Sequence, residues 1–126
     1  MAGPTIVNVD DNEAGRYVTS KILRNAGYHV VEAESGAAAL AAVDASTALV
    51  LLDIHLPDIS GYDVCRRLKQ SQATRDVPVI YLSATADDEE VRVRGSDTGA
   101  CGSLFAPLPP DELLTAVREV VGSPHG

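Results

Sequence analysis

The chain has 126 residues, a net charge of −8 and 45% apolar residues, which is enough for one domain with its own core. The acidic balance argues against direct binding to nucleic acid or to an anionic membrane, since neither would attract the chain electrostatically. The sequence contains no basic run, secretory segment or apolar stretch of membrane length, so we expect a cytoplasmic protein.

Strand-like and helix-like segments alternate along the chain. Apolar and β-branched runs predict five strands, over residues 5–9, 28–33, 48–52, 77–82 and 101–105. Helical patterns predict five helices, over residues 13–26, 36–45, from 61 onward, 87–99 and 109–121. This alternation predicts an α/β fold in which helices cover both faces of a parallel sheet. We expect a single domain with a core over about 4–122 and a frayed end at 123–126.

The spacing of apolar residues predicts the buried face of the first helix. Its members would be Tyr17, Val18, Ile22, Leu23 and Ala26. The second helix is alanine-rich, with Leu40 and Val43 expected to point inward. The basic residues of the third helix are expected on an ordinary solvated face: Arg66, Arg67 and Lys69.

Acidic and hydroxyl side chains stand at the ends of three predicted strands. Asp10 and Asp11 follow the first strand, Asp53 follows the third, and Ser83 follows the fourth. The carboxyl ends of parallel strands meet at one edge of the sheet, where open α/β sheets bind their ligands. Three acids gathered there would repel one another and favour a hard divalent cation with oxygen ligands, Mg²⁺ above all.

Each of these residues has a simpler interpretation when it is taken alone. Asp10 and Asp11 could cap the following helix, and Asp53 could be a solvated strand end. Ser83 could be a turn residue. The joint pattern favours the cation site over these three readings. The side chain of His55 is expected at the rim of the pocket, where it would tune the access of water.

Three segments resemble the receiver domain of two-component response regulators. They are IVNVDDNE at residues 6–13, LLDIHLPDISG at 51–61 and VIYLSA at 79–84. Gly99-Ala100 and Pro107 also fall where receivers have them, so the resemblance covers nearly the whole chain. It implies a flavodoxin-like doubly wound (βα)5 fold with the strand order 2-1-3-4-5.

The resemblance also implies a role for each matching position. Asp53 would be the phosphoacceptor, and it would bind Mg²⁺ (or Mn²⁺) together with Asp11 and the backbone carbonyl of His55. Asp10 would bind the cation largely through water, and Ser83 would donate a hydrogen bond to a phosphoryl oxygen. Such a domain is a signalling module and not an enzyme, since it promotes only its own phosphorylation and dephosphorylation.

Two positions depart from the receiver pattern. Receivers carry a lysine where this chain has Ala106, and a switch aromatic where it has Ser103. The phosphorylated state would therefore lose a charge-assisted contact, and the response to phosphorylation would lose its last part. We expect Asp53 to accept phosphate still, with a conformational switch that is weakened or rewired.

The resemblance implies a histidine kinase or a phosphotransfer protein as the partner. The first helix would be either its docking surface or plain surface, with the candidate residues Tyr17, Ser20, Lys21 and Arg24. It also implies a homodimer face formed by the fourth helix, the fifth strand and the fifth helix. Residues 11–17 are similar to receivers fused to sensor histidine kinases. The chain would then be either the receiver of a hybrid kinase or a stand-alone receiver.

Other functional classes fit less well. A receiver-like interaction module that works without phosphorylation is the main alternative, and Ala106 and Ser103 favour it. An aspartate-nucleophile phosphatase would need a second carboxylate within residues 53–55, and no serine or cysteine elbow is present. Nucleotide binding is disfavoured because no glycine-rich loop follows the first strand.

Overall fold

The computed structural model describes residues 3–83, 102–105 and 108–122. Its strands are β1 (Thr5–Val9), β2 (His29–Ala33), β3 (Leu49–Leu52), β4 (Val79–Ser83) and β5 (Gly102–Phe105). The helices of the described residues are α1 (Glu13–Asn25), α2 (Gly36–Ala42), α3 (Gly61–Gln70) and α4 (Pro110–Val121). The predicted helix over 87–99 lies outside the described residues. None of the described helices is long and apolar enough to cross a membrane.

The five strands form one parallel sheet in the order β2-β1-β3-β4-β5. This confirms the expected flavodoxin-like α/β architecture. The sheet order changes direction between β1 and β3, and their shared carboxyl edge is where such folds bind ligands.

Apolar side chains pack on both faces of the sheet. One face packs against α2 and α3, through Ala39, Val64 and Leu68. The other face packs against α1 and α4, through Leu23 and Val117. Because β1 and β3 lie at the centre of the sheet and are covered on both sides, their side chains are nearly all buried.

Hydroxyl and amide side chains cap the first turns of three helices. Asn12 accepts a hydrogen bond from the backbone N–H of Gly15 at 2.8 Å, at the start of α1. Ser35 and Ser60 make the corresponding contacts at the starts of α2 and α3. Each of these caps satisfies one of the backbone donors that a helix leaves unpaired in its first turn.

The predicted inward face of α1 was wrong for two residues. Tyr17 and Val18 are 61% and 55% exposed. The helix instead buries Ser20 and Leu23, with Ile22 half-buried beside them. The reason is a polar contact that apolar spacing does not reveal.

That polar contact joins α1 to β1. The side-chain amide of Asn8, which is buried in β1, donates to Ser20 Oγ at 3.0 Å and to the carbonyl of Arg16 at 3.2 Å. Burying an amide requires hydrogen-bond partners. The helix therefore presents these two positions to the sheet and leaves Tyr17 and Val18 outside.

Two smaller expectations also differ from the structure. Helix α2 ends at Ala42, because Val43 adopts an extended conformation, and Val43 is buried while Leu40 is only partly so. Lys69 is not on a purely solvated face, since its Nζ donates to the carbonyls of Arg75 and Val77 at 3.1 and 2.6 Å. Lys69 thereby stabilises the turn that leads into β4.

Candidate metal centre

The three acids lie together at the carboxyl edge of β1 and β3. Val9 and Leu52 are register partners in these strands, so Asp10 and Asp53 follow at the same level. The N–H of Asp53 donates to the carbonyl of Val9 at 3.0 Å, which fixes the two loops next to each other. One carboxylate oxygen from each of Asp10, Asp11 and Asp53 lies within 4.8 Å of the other two.

The acids open into a cleft of about 300 Å³. Its lining residues are Asp10, Asp11, Asn12, Gly15, Thr19, Asp53 and Leu82. Sequence reasoning missed Gly15 and Thr19, although both follow from helical spacing, since residues four apart on α1 share a face. A Cβ at Gly15 would lie 3.1 Å from Asp10 Oδ2, so the glycine leaves room for this carboxylate.

Asp10 is held by contacts on each of its polar groups. Its N–H donates to the carbonyl of Ala33 at 3.0 Å, and its own carbonyl accepts from Arg16 Nη1 at 2.8 Å. Its carboxylate accepts the N–H of Asn12 at 2.9 Å. Asn12, and neither Asp10 nor Asp11, supplies the side-chain cap of α1, so the simpler reading of this acid pair as a helix cap is wrong.

The setting of Asp10 also affects its ionisation. Burial raises the pKa of Asp10, and the neighbouring charge of Asp11 adds to the rise. The N–H of Asn12 and the guanidinium of Arg16 oppose it. Arg16, which also pairs with Glu32 at 3.1 Å, was not singled out in the sequence because nothing in its spacing marks a contact with a backbone carbonyl.

Asp53 has the most perturbed carboxyl of the cleft. Burial raises the pKa of Asp53 to about 6, and the charges of Asp10 and Asp11 add to the rise. The N–H of His55, which donates to Asp53 Oδ1 at 3.2 Å, opposes it. The side chain of His55 is exposed, and its charge also lowers the pKa of Asp53. Asp53 is therefore not an ordinary solvated strand end.

This donor set fits a hard divalent cation. All three side chains offer carboxylate oxygens, which Mg²⁺ prefers, and their mutual repulsion would be relieved by a positive ion among them. Asp10, Asp11 and Asp53 are the side chains that would hold such an ion. The backbone carbonyl of His55 is the further ligand that the receiver resemblance implies.

The remaining predicted positions fall differently. The backbone of Ser83 ends β4, but its side chain and all of Ala106 lie outside the described residues. The chain has two lysines, and neither contacts the cleft acids: Lys21 lies over the ring of Tyr17, at 6.0 Å, and Lys69 fastens the turn before β4.

Ser103 has an aromatic residue as its neighbour in the sheet. Its register partner in β4 is Tyr81, and paired residues of parallel strands point to the same face. Tyr81 is fully buried, and its ring meets that of Tyr62 edge-on at 5.2 Å between centroids. The sequence hinted at this arrangement only through a single tyrosine in an otherwise aliphatic strand.

Comparisons with known proteins agree with this geometry. The profile of the response regulator receiver domain family matches residues 6–118. The phosphate regulon transcriptional regulatory protein PhoB of Pseudomonas aeruginosa is 37% identical over 122 residues, which cover 96% of this chain and 53% of PhoB. The two-component response regulator ORR3 of rice is 28% identical, with 94% of this chain and 91% of ORR3 covered. The chain thus spans about half the length of PhoB.

Solved structures show the same likeness. The receiver domain of the Pseudomonas aeruginosa sensor histidine kinase PA1611, solved with a magnesium ion coordinated in its active site cleft, superposes with a TM-score of 0.86 at 30% identity. That match covers 97% of this chain and all of the other. The chemotaxis protein CheY4 of Vibrio cholerae also gives 0.86, at 26% identity over 94% of this chain and 99% of its own. From its family profile, its relatives and its fold, this chain belongs to the receiver domains of two-component response regulators.

Proposed function

We propose that this chain accepts a phosphoryl group on Asp53 in a reaction that requires Mg²⁺. The observation that carries the proposal is the meeting of Asp10, Asp11 and Asp53, whose carboxylate oxygens come within 4.8 Å of one another at the mouth of one cleft. The magnesium ion in the cleft of the PA1611 receiver supports it by analogy. Mn²⁺ would be expected to replace Mg²⁺, because the ligands are all oxygens.

In the proposed step an Asp53 carboxylate oxygen attacks the phosphorus of a phosphohistidine on a histidine kinase or phosphotransfer protein. The new O–P bond forms as the N–P bond breaks, and the imidazole nitrogen leaves with the bonding pair. The cation, when bound, neutralises charge on the equatorial phosphoryl oxygens. Asp10 and Asp11 would hold the cation in the cleft. The hydroxyl of Ser83 is proposed to donate a hydrogen bond to a phosphoryl oxygen.

The response to phosphorylation is proposed to be weakened or rewired. Ala106 cannot supply the ammonium that would pair with the phosphoryl group, and neither lysine of the chain contacts the cleft acids. Ser103 has no ring to reorient, whereas its neighbour Tyr81 carries a ring that is already buried. Buried rings in close packing reorient at a cost, since the core has little free volume.

The second candidate is an interaction module whose partner binding does not depend on phosphorylation. The same two departures, Ala106 and Ser103, favour it. In this reading the acidic cleft would still bind a cation, but occupation of Asp53 by phosphate would change no partner affinity. A homodimer that uses β5, α4 and the predicted helix over 87–99 belongs to either candidate.

The deciding experiment is modification of Asp53. The chain is incubated with Mg²⁺ and acetyl phosphate, or with beryllofluoride, and examined by intact mass and by ¹⁹F NMR. We expect an adduct that requires Mg²⁺ and is absent from Asp53→Asn. No adduct under saturating donor would favour the interaction module. An adduct with large amide chemical-shift changes in the predicted helix over 87–99 and in β5 would instead contradict the weakened switch.

A further inference from the structure

A fourth carboxylate, outside the acidic cleft, makes two backbone hydrogen bonds to another element. Asp58 lies in the segment that joins Asp53 to α3. Its Oδ1 accepts the N–H of Gly36 at 2.8 Å, and its Oδ2 accepts the N–H of Ala37 at 2.9 Å. These bonds hold the pKa of Asp58 below its usual value, whereas burial raises the pKa of Asp10 and Asp53.

The packing beside Asp58 is equally close. A Cβ at Gly36 would lie 2.3 Å from Ile59 Cγ1, so the absence of a side chain at 36 is what allows the segment to approach α2. Ile59 itself packs against the core on that face of the sheet. The segment after β3 is therefore attached to the start of α2 by a polar and an apolar contact.

The junction between β2 and α2 is also attached to the other acid-bearing loop. The N–H of Asp10 donates to the carbonyl of Ala33, at the end of β2. Ala33 and Gly36 are three residues apart. The short junction over residues 33–37 thus contacts both the loop that carries Asp10 and the segment that follows Asp53.

The segment between Asp53 and α3 is held in place at two points. Near α3, the N–H of Gly61 donates to the carbonyl of Ile54 at 2.8 Å. Asp58 supplies the attachment to a different element. His55 lies between Ile54 and Asp58 in the chain, and its N–H donates to the carboxylate of Asp53.

We propose that Asp58 is a positioning residue for the cation site, because it fixes the segment of His55 and Asp53 at a set distance from the loop of Asp10 and Asp11. This inference rests on the proposed function, since it concerns the binding of Mg²⁺ by that site. Removal of the Asp58 carboxylate would let the two loops move relative to each other. The cation would then have to order them on binding, at the expense of its affinity.

A simple helix-capping role is the competing explanation. Capping alone does not explain the presence of Asp58, because Ser35 already supplies the side-chain cap of α2 by accepting the N–H of Ala38. A cap alone would change the stability of the chain and leave the affinity for Mg²⁺ as it was. The two explanations can therefore be separated by measuring both quantities.

The test is titration of Mg²⁺ into the metal-free chain, followed by calorimetry or amide chemical shifts. We expect Asp58→Ala to bind Mg²⁺ about fivefold more weakly, which corresponds to about 1 kcal/mol of binding free energy. Asp58→Asn keeps one acceptor oxygen and should recover part of the affinity. The matched control is Asp44→Ala, which removes an exposed carboxylate of equal charge that accepts the N–H of Ser46 in the turn between α2 and β3.

The outcomes distinguish this inference from the proposed function. If the unaltered chain binds no Mg²⁺, the proposed function fails and the inference fails with it. If the chain binds Mg²⁺ but Asp58→Ala and Asp44→Ala have the same dissociation constant, only the positioning role is overturned. Should Asp58→Ala not fold, Asp58→Asn makes the same comparison, with an expected loss of about twofold.

Discussion

Gly61 lies so close to Asp53 that a Cβ at position 61 would be 2.3 Å from the carbonyl oxygen of Asp53. The same atom would be 2.9 Å from the Cα of Ile54, so backbone, and not a flexible side chain, would have to move. We expect Gly61→Ala to destabilise the chain by about 1–3 kcal/mol, as over-packing does, and to displace Asp53. Urea unfolding measures the first effect, and Mg²⁺ titration measures the second.

A matched control for that substitution is Gly102→Ala in β5. A Cβ at Gly102 meets nothing within 4 Å in the part of the chain that the structure describes. This variant should be neutral or more stable by about 0.5 kcal/mol, because alanine restricts the unfolded chain. Equal destabilisation by both variants would show that the loss at 61 reflects backbone preference alone.

The buried pair of Asn8 and Ser20 allows a double-mutant cycle. We expect Asn8→Val to cost about 1–3 kcal/mol, because it leaves the hydroxyl of Ser20 without its amide partner in an apolar setting. The double variant with Ser20→Ala should recover much of that loss, since no polar side chain of the pair stays buried. Thermal and urea unfolding of the four proteins give the coupling. Strictly additive losses would contradict the pairing.

Stability should depend on pH through Asp53. Its pKa in the folded chain is about 6, against an ordinary value of 3.8. The folded state therefore binds this proton more tightly, and the stability it confers is present below the ordinary value and lost as the pH rises through about 6. In metal-free buffer, the stability of Asp53→Asn should therefore increase relative to that of the unaltered chain as the pH rises through this interval. Thermal unfolding of both proteins measures the difference.

Addition of Mg²⁺ should instead favour the stability of the unaltered chain over that of Asp53→Asn. The cation binds the folded chain and stabilises it by mass action, and this gain should be smaller in Asp53→Asn, which lacks one carboxylate ligand. The metal-free experiment has its own contrary outcome. If the stability difference between the two proteins in metal-free buffer does not vary from about pH 4 to 7, Asp53 has an ordinary pKa in the folded chain.

Tyr17 and Val18 form an exposed apolar pair on α1, and Tyr17 lines a surface groove together with the cleft residue Asn12. If a phosphotransfer protein docks there, Tyr17→Ala with Val18→Ala should slow phosphoryl transfer from it about tenfold. Transfer from acetyl phosphate, which needs no docking, should be unchanged. Val120→Ala, which alters a 37% exposed apolar residue on α4, is the control. A loss of both reactions would indicate damage to the cleft.

Much of this molecule could be predicted from its sequence because the signals were local or repetitive. Apolar runs and glycine-containing breaks gave the element order, and the acids at strand ends followed from parallel topology. The bounds of β1 agree with the prediction, and α1 ends one residue early, at Asn25. These features depend on neighbours in the chain or on a period that repeats.

What could not be predicted depends on partners far apart in the sequence. The orientation of α1 is set by Asn8, a polar residue in an apolar strand whose partner lies twelve residues on. The role of Asp58 depends on backbone donors in α2, which no side-chain pattern announces. Hydrogen bonds to backbone groups leave no mark on composition, so neither Arg16 nor Asp58 could be singled out from the sequence.

The register of β4 against β5 has a consequence for attempts to restore a typical receiver. Ser103 and Tyr81 are nearest neighbours on one face, and the buried ring of Tyr81 packs against the ring of Tyr62. An aromatic residue introduced at 103 would compete with Tyr81 for the same volume. Repair is therefore a two-site problem, in which Ser103→Tyr becomes acceptable only together with a smaller residue at 81. Among natural receivers the sizes of these two side chains should accordingly vary in opposite directions.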